Sequence, residues 1–123
     1  AQHAIQVALG GRQSIYELTG TGGRLLRQRN IAYEKLNEIP GVSAVKPMGS
    51  LYLFPRLDPN VYEIHDDAKL MLDILKAEKI LMVQGTGFNW PNPDHFRVVT
   101  LPWASQIENA IERLGNFLVS YKQ

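Results

Sequence analysis

Ile107, Ala110, Ile111, Leu114, Phe117, Leu118 and Tyr121 trace one stripe of a 3.6-residue repeat, and a helix carrying such a stripe must bury it against a second layer. The pattern predicts a C-terminal helix opened by a Ser105–Glu108 capping box and docked on a sheet. Four segments can supply the sheet: Val42 to Val45, Ser50 to Arg56, Ile80 to Val83 and Phe96 to Leu101. The first two, linked by Lys46-Pro47-Met48-Gly49, read as a hairpin. Leu51 and Leu53 alternate with Tyr52 and Phe54, so that strand is apolar on both faces and is expected at the centre of the sheet. Three helices are expected ahead of the strands. Ala1, Ala4, Ile5, Ala8 and Leu9 form the first, ending at Gly10-Gly11. Arg12 to Thr19 form a short second, and Leu25, Leu26, Ala32, Tyr33 and Leu36 mark a third that stops at Pro40-Gly41. A further helix carries Leu70, Met71, Ile74 and Leu75, with His65-Asp66-Asp67 at its start. This order implies an α+β fold, a small, largely antiparallel sheet of about four strands covered by helices.

At 123 residues the chain forms one core. It has no cysteine, which removes thiolate chemistry and disulfides and fits a reducing, cytoplasmic setting. Thirteen Lys and Arg against twelve Asp and Glu leave a formal charge of +1, too balanced for the basic field that nucleic acids or anionic membranes attract. No apolar run approaches the ~20 residues that span a bilayer. Ala1-Gln2-His3-Ala4 has neither an initiator Met nor a signal pattern, so the chain reads as a piece of a longer protein.

Arg97 is the residue whose chemistry demands a reason. Alternation along Phe96 to Leu101 puts it on one face with Val99 and Leu101. It is either a guard charge on an edge strand, half of an internal ion pair, or a carboxylate clamp, since its planar fork fits a carboxylate with two parallel hydrogen bonds. Gly85 opens a Gly/Pro/Asn-rich loop that runs from Gln84 to His95, where a glycine allows a positive φ or a close backbone approach. Gly20-Thr21-Gly22-Gly23 lacks the preceding strand that a phosphate-binding turn needs. His65-Asp66-Asp67 has no second ligand pair at helical spacing and is better explained as a helix cap. No metal site or nucleophilic triad emerges. His3 and His95 read as structural or solvent-facing, and Trp90 and Trp103 as packing residues.

Gln2-His3-Ala4-Ile5-Gln6, Gly22-Gly23-Arg24-Leu25, Ile39-Pro40-Gly41-Val42, Lys46 to Pro55, Val83-Gln84-Gly85, Phe88-Asn89-Trp90-Pro91 and, most specifically, Asp94 to Pro102 together resemble the C-terminal part of a class I/II pyridoxal-phosphate-dependent aminotransferase, of the kind found in bacterial alanine aminotransferase-like enzymes. The resemblance covers the whole chain in order. It implies the end of an interdomain helix and connecting segment over 1–21 and the family's small C-terminal domain over 22–123. It implies an enzyme that moves an amino group between an amino acid, alanine or glutamate, and a 2-oxo acid. Arg97 matches the arginine that binds the substrate α-carboxylate, and Gly85 a loop residue near the substrate. The resemblance further implies pyridoxal phosphate held mainly by a large domain of the same chain, and a homodimer of the intact protein. No lysine here, among Lys35, Lys46, Lys69, Lys76, Lys79 and Lys122, stands in a Schiff-base context, so the chain by itself is expected to be inactive. The competing expectation is a non-enzymatic α+β module that binds a small carboxylate or a protein partner.

Overall fold

Pro55 has no N–H to donate, and the ladder breaks around it. In the structure, a computed structural model describing residues 2–11 and 13–123, Tyr52 to Leu57 runs antiparallel to Asp94 to Val99 in two steps. β1 is Val42–Ser43, β2 Tyr52–Leu53, β3 Arg56–Leu57, β4 Val83–Gln84 and β5 Phe96–Val99. β2 pairs with β5 (Tyr52 opposite Val99), β4 pairs with β5 on its other side (Val83 opposite Arg97), and β1 pairs with β3 (Val42 opposite Leu57). An Arg56–His95 bridge and the Phe96 N–H to Pro55 carbonyl bond of 3.2 Å join the two-stranded and three-stranded sheets. Every described strand pairing is antiparallel.

The helices are α1 Gln2–Gly10, α2 Ser14–Thr19, α3 Arg24–Glu38, α4 Asp67–Glu78 and α5 Ala104–Ser120. The expected starts at Ala1 and Arg12 lie outside the described residues. α5 buries Ile107, Ile111, Leu114 and Leu118 against α3, α4 and the sheet, where Leu36, Leu53, Leu70, Ile74 and Phe96 complete one core. Asp66 caps α4 by accepting the Lys69 N–H at 2.9 Å, as expected of the His65-Asp66-Asp67 run. No helix among the described residues is long and apolar enough to cross a membrane.

Three local expectations are corrected. The expected hairpin forms only at its far end, where Val42–Ser43 pairs antiparallel with Arg56–Leu57, and the chain does not close at Lys46 to Gly49. Asn37 accepts the Ala44 N–H at 3.0 Å and donates to the Ala44 carbonyl, so these backbone groups are paired with a helix side chain, and Val45 and Met48 stand in solvent. β5, not the 50–56 segment, is central. Leu53, Pro55 and Leu57 are buried while Tyr52 and Arg56 point away from the core, because the second face of that segment belongs to the site described below. The capping pair sits two residues early, with Gln106 Oε1 accepting the Trp103 N–H at 3.0 Å, because helical backbone begins at Ala104.

Candidate functional site

β5 alternates, so Phe96 enters the core and Arg97 leaves it on the opposite face. Strand register then sets Tyr52, opposite Val99, on the face that carries Arg97. The Gly85–Phe88 turn of 3-10 helix follows β4 directly and brings the Phe88 ring against the guanidinium as well. The Arg97 Cζ lies 4.7 Å from the Tyr52 ring centroid and 4.4 Å from that of Phe88. Both rings attract the cation through their electron-rich faces. Arg97 Nε is buried and has no hydrogen-bond partner, and no described carboxylate lies within ion-pair distance. The edge-strand and internal-ion-pair readings therefore both fall. A fixed, half-buried positive fork with no anionic partner of its own can bind a carboxylate from outside.

The turn that carries Phe88 is fastened at several points. The Gly85 N–H donates to the His95 carbonyl at 2.8 Å, and a Cβ at Gly85 would meet that oxygen at 2.7 Å. Gly85 is thus needed for close backbone approach; its φ is not among the positive ones. Asn89, with φ 60°, ends the turn in left-handed backbone. Beside it, Phe54 stacks on His95 at 4.9 Å and meets Trp90 edge-on at 5.6 Å. Asp94 ties this cluster together, accepting from Trp90 Nε1 at 2.9 Å and Arg56 Nε at 3.2 Å, with His95 Nδ1 at 2.7 Å. Burial pushes the Asp94 carboxyl up, and the bonds from His95, Trp90 and Arg56 outweigh it, leaving the pKa below the ordinary value.

Of the sequence-derived candidates, the structure brings Arg97 and the Gly85 turn to neighbouring strands β5 and β4. Trp90 and His95 pack beside the turn, whereas Trp103 is exposed, with Arg24 5.0 Å over its ring, and is not a core residue. Tyr52 and Phe88 are not among the sequence-derived candidates, since only strand register and the turn after β4 reveal them. No group of three or more His, Cys, Asp or Glu able to hold a metal occurs among the described residues. Four of the lysines are engaged by neighbouring groups. Lys35 and Lys69 are bound to Glu38 and Asp73 at 2.9 and 2.6 Å, bonds that raise their pKa values, where a lysine that reacts as a free amine needs a lowered one. Lys46 lies over the Tyr33 ring, and Lys79 donates to the Lys76 carbonyl.

No family model matches the chain. It is 72% identical over 123 residues to an alanine aminotransferase of Mycobacterium tuberculosis, covering all of this chain and 29% of that protein. It is 58% identical over 123 residues to a glutamate-pyruvate aminotransferase of Escherichia coli, covering 30% of it. The crystal structure of an aminotransferase from Escherichia coli superposes on 99% of this chain and 30% of its own with a TM-score of 0.96 at 58% identity. An alanine aminotransferase from Pyrococcus furiosus superposes on 80% of the chain and 24% of its own, with a TM-score of 0.73 at 37% identity. The chain thus spans about 30% of the length of the curated relatives it matches.

Proposed function

Because the chain belongs to the aminotransferase family and matches the C-terminal portion of its members, we propose that it is the substrate-anchoring part of an enzyme that moves an amino group between alanine or glutamate and a 2-oxo acid. The observation that carries this reading is Arg97, packed against the Tyr52 and Phe88 rings with no described carboxylate within ion-pair distance. The substrate α-carboxylate binds the guanidinium, and the two rings restrict where the fork can point. A held carboxylate fixes the orientation of the adjacent Cα, the atom that must lose a proton, and orientation of this kind lowers the barrier without Arg97 exchanging a proton. Gly85 contributes by its missing side chain, allowing the turn to lie against His95.

The cofactor of this reading is pyridoxal phosphate, which when bound supplies an electron sink for amino-group transfer. In this reading its attachment lysine lies in the large domain, since the chain spans about 30% of the relatives' length. In the same reading, residues 1–21 form the end of an interdomain helix with its connection and 22–123 the small domain, a division supported by α1, none of whose residues is buried. A large domain of the same chain, a second copy in a homodimer and a cytoplasmic location complete the proposal. The module alternative has no observation of its own in its favour.

The test is product formation. The intact protein, given L-alanine and 2-oxoglutarate, should form pyruvate and glutamate, and the 123-residue chain alone should not. Two charge-assisted hydrogen bonds contribute roughly 3–6 kcal/mol, so Arg97→Ala should lower kcat/KM for L-alanine by at least ~100-fold. No pyruvate from the intact protein, or a loss in the variant below about tenfold, would contradict the proposal.

A further inference from the structure

Asp67 has no role in the anchoring just described, yet it is only 3% exposed. Asp66, its neighbour, already caps α4, so Asp67 is not needed for that. Its carboxylate turns to the loop instead. Oδ2 accepts the Thr86 N–H at 2.9 Å, and Oδ1 accepts the Thr86 hydroxyl at 2.6 Å. No described cation shares it within ion-pair distance. A buried carboxylate is costly to desolvate and is retained where its hydrogen bonds are satisfied. Here both hydrogen bonds converge on one residue of the four-residue turn whose last member, Phe88, lies on the Arg97 guanidinium. The other side of the turn is fixed by Gly85 on the His95 carbonyl, so Asp67 and His95 grip it from α4 and from the residue just before β5.

We propose that Asp67 is a positioning residue for carboxylate recognition: through its two hydrogen bonds to Thr86 it holds the Gly85–Phe88 turn so that Phe88 keeps the Arg97 fork in its binding orientation. This rests on Arg97 being the carboxylate anchor. Loss of the grip lets Phe88 move off the guanidinium, and the fork then samples orientations that cannot meet a carboxylate with both arms. The consequence is weaker binding of carboxylates, which an inert carboxylate probe reads directly, and any accompanying fall in kcat follows from the lost orientation of Cα.

The experiment uses the full-length enzyme, with KM and kcat for L-alanine, the inhibition constant of propionate as a bare carboxylate probe, and the melting temperature of each variant. Asp67→Asn keeps the shape but replaces one acceptor by a donor facing Thr86, and Thr86→Val removes the hydroxyl with little change of volume. Both should raise KM and the propionate constant together by about tenfold, the scale of one charge-assisted bond. Thr86→Ser, which retains both donors, should stay within about twofold of the parent in every quantity. If Asp67→Asn does not fold, the Thr86→Val and Thr86→Ser pair decides. Arg97→Ala run alongside separates the two layers of the argument. Were it to leave KM and the propionate constant unmoved, anchoring and positioning would both be wrong. If Arg97→Ala raises both while Asp67→Asn and Thr86→Val do not, or if their loss falls on kcat or on melting temperature alone, the positioning role of Asp67 is overturned and the anchor stands.

Discussion

Tyr52 and Phe88 hold Arg97 as a carboxylate partner would, without consuming its charge. Cation–π contacts of this kind contribute about 0.5–2 kcal/mol each, so Phe88→Ala should raise KM for L-alanine by about 2- to 30-fold in the intact enzyme, as steady-state kinetics would register. An unchanged KM would mean that the ring only covers the loop. Arg97 was legible from alternation along its strand, together with the oddity of a guanidinium among apolar neighbours. Phe88 was not, because the 3-10 turn that aims it is a matter of loop geometry, and Asp67 was masked by the adjacent Asp66, which carries the capping role the pattern predicts. Asp94 gives a pH signature. Its carboxyl titrates below the ordinary range when folded, so its contribution to stability is complete above the unfolded carboxylate pKa and is lost as the pH falls through the folded one. Urea midpoints measured from neutral pH into the acid range should therefore fall more steeply for the parent chain than for Asp94→Asn. Parallel curves would remove Asp94 from the acid response.

At the scale of elements, helices and strands differed in how well they could be read. α3, α4 and α5 follow from 3.6-residue periodicity because each buries one stripe over many turns. The strands are two to four residues long, too short for period-two alternation to fix pairing, and their register depends on contacts distant in sequence. Asn37 diverting Ala44 is an event no local pattern announces, whereas the break at Pro55 follows from its missing N–H. The core claim is testable at α5, where Leu114 is almost wholly buried. Leu114→Ala should cost about 2–5 kcal/mol in urea unfolding, and a loss under about 1 kcal/mol would place it outside the core. Gly85→Ala should lower the melting temperature as well as the affinity for L-alanine, since the added methyl meets backbone oxygen that cannot step aside.

At the scale of the molecule, the α+β class, the antiparallel pairing and the family resemblance were all legible, because they rest on the order of many elements and on blocks spread through the whole chain. The pairing of Arg97 with Tyr52 and Phe88 was not, since it rests on strand register and on the turn after β4. Ile5, Val7 and Leu9 of α1 stand exposed, and Tyr52, Phe88 and Trp90 are only half covered around the site. Apolar surface on this scale favours association, so light scattering of the 123-residue chain should give a mass that rises with concentration, lowered in an Ile5→Lys, Leu9→Lys double variant. A monomer at every concentration would contradict this. The decisive comparison is chemical. In the full-length enzyme, kcat/KM should be measured for L-alanine and for ethylamine, which lacks the carboxylate, in the parent and in Arg97→Ala. A fall of at least ~100-fold for L-alanine with ethylamine held within about threefold is the predicted result, and an equal fall for both substrates would show that Arg97 does not bind the carboxylate.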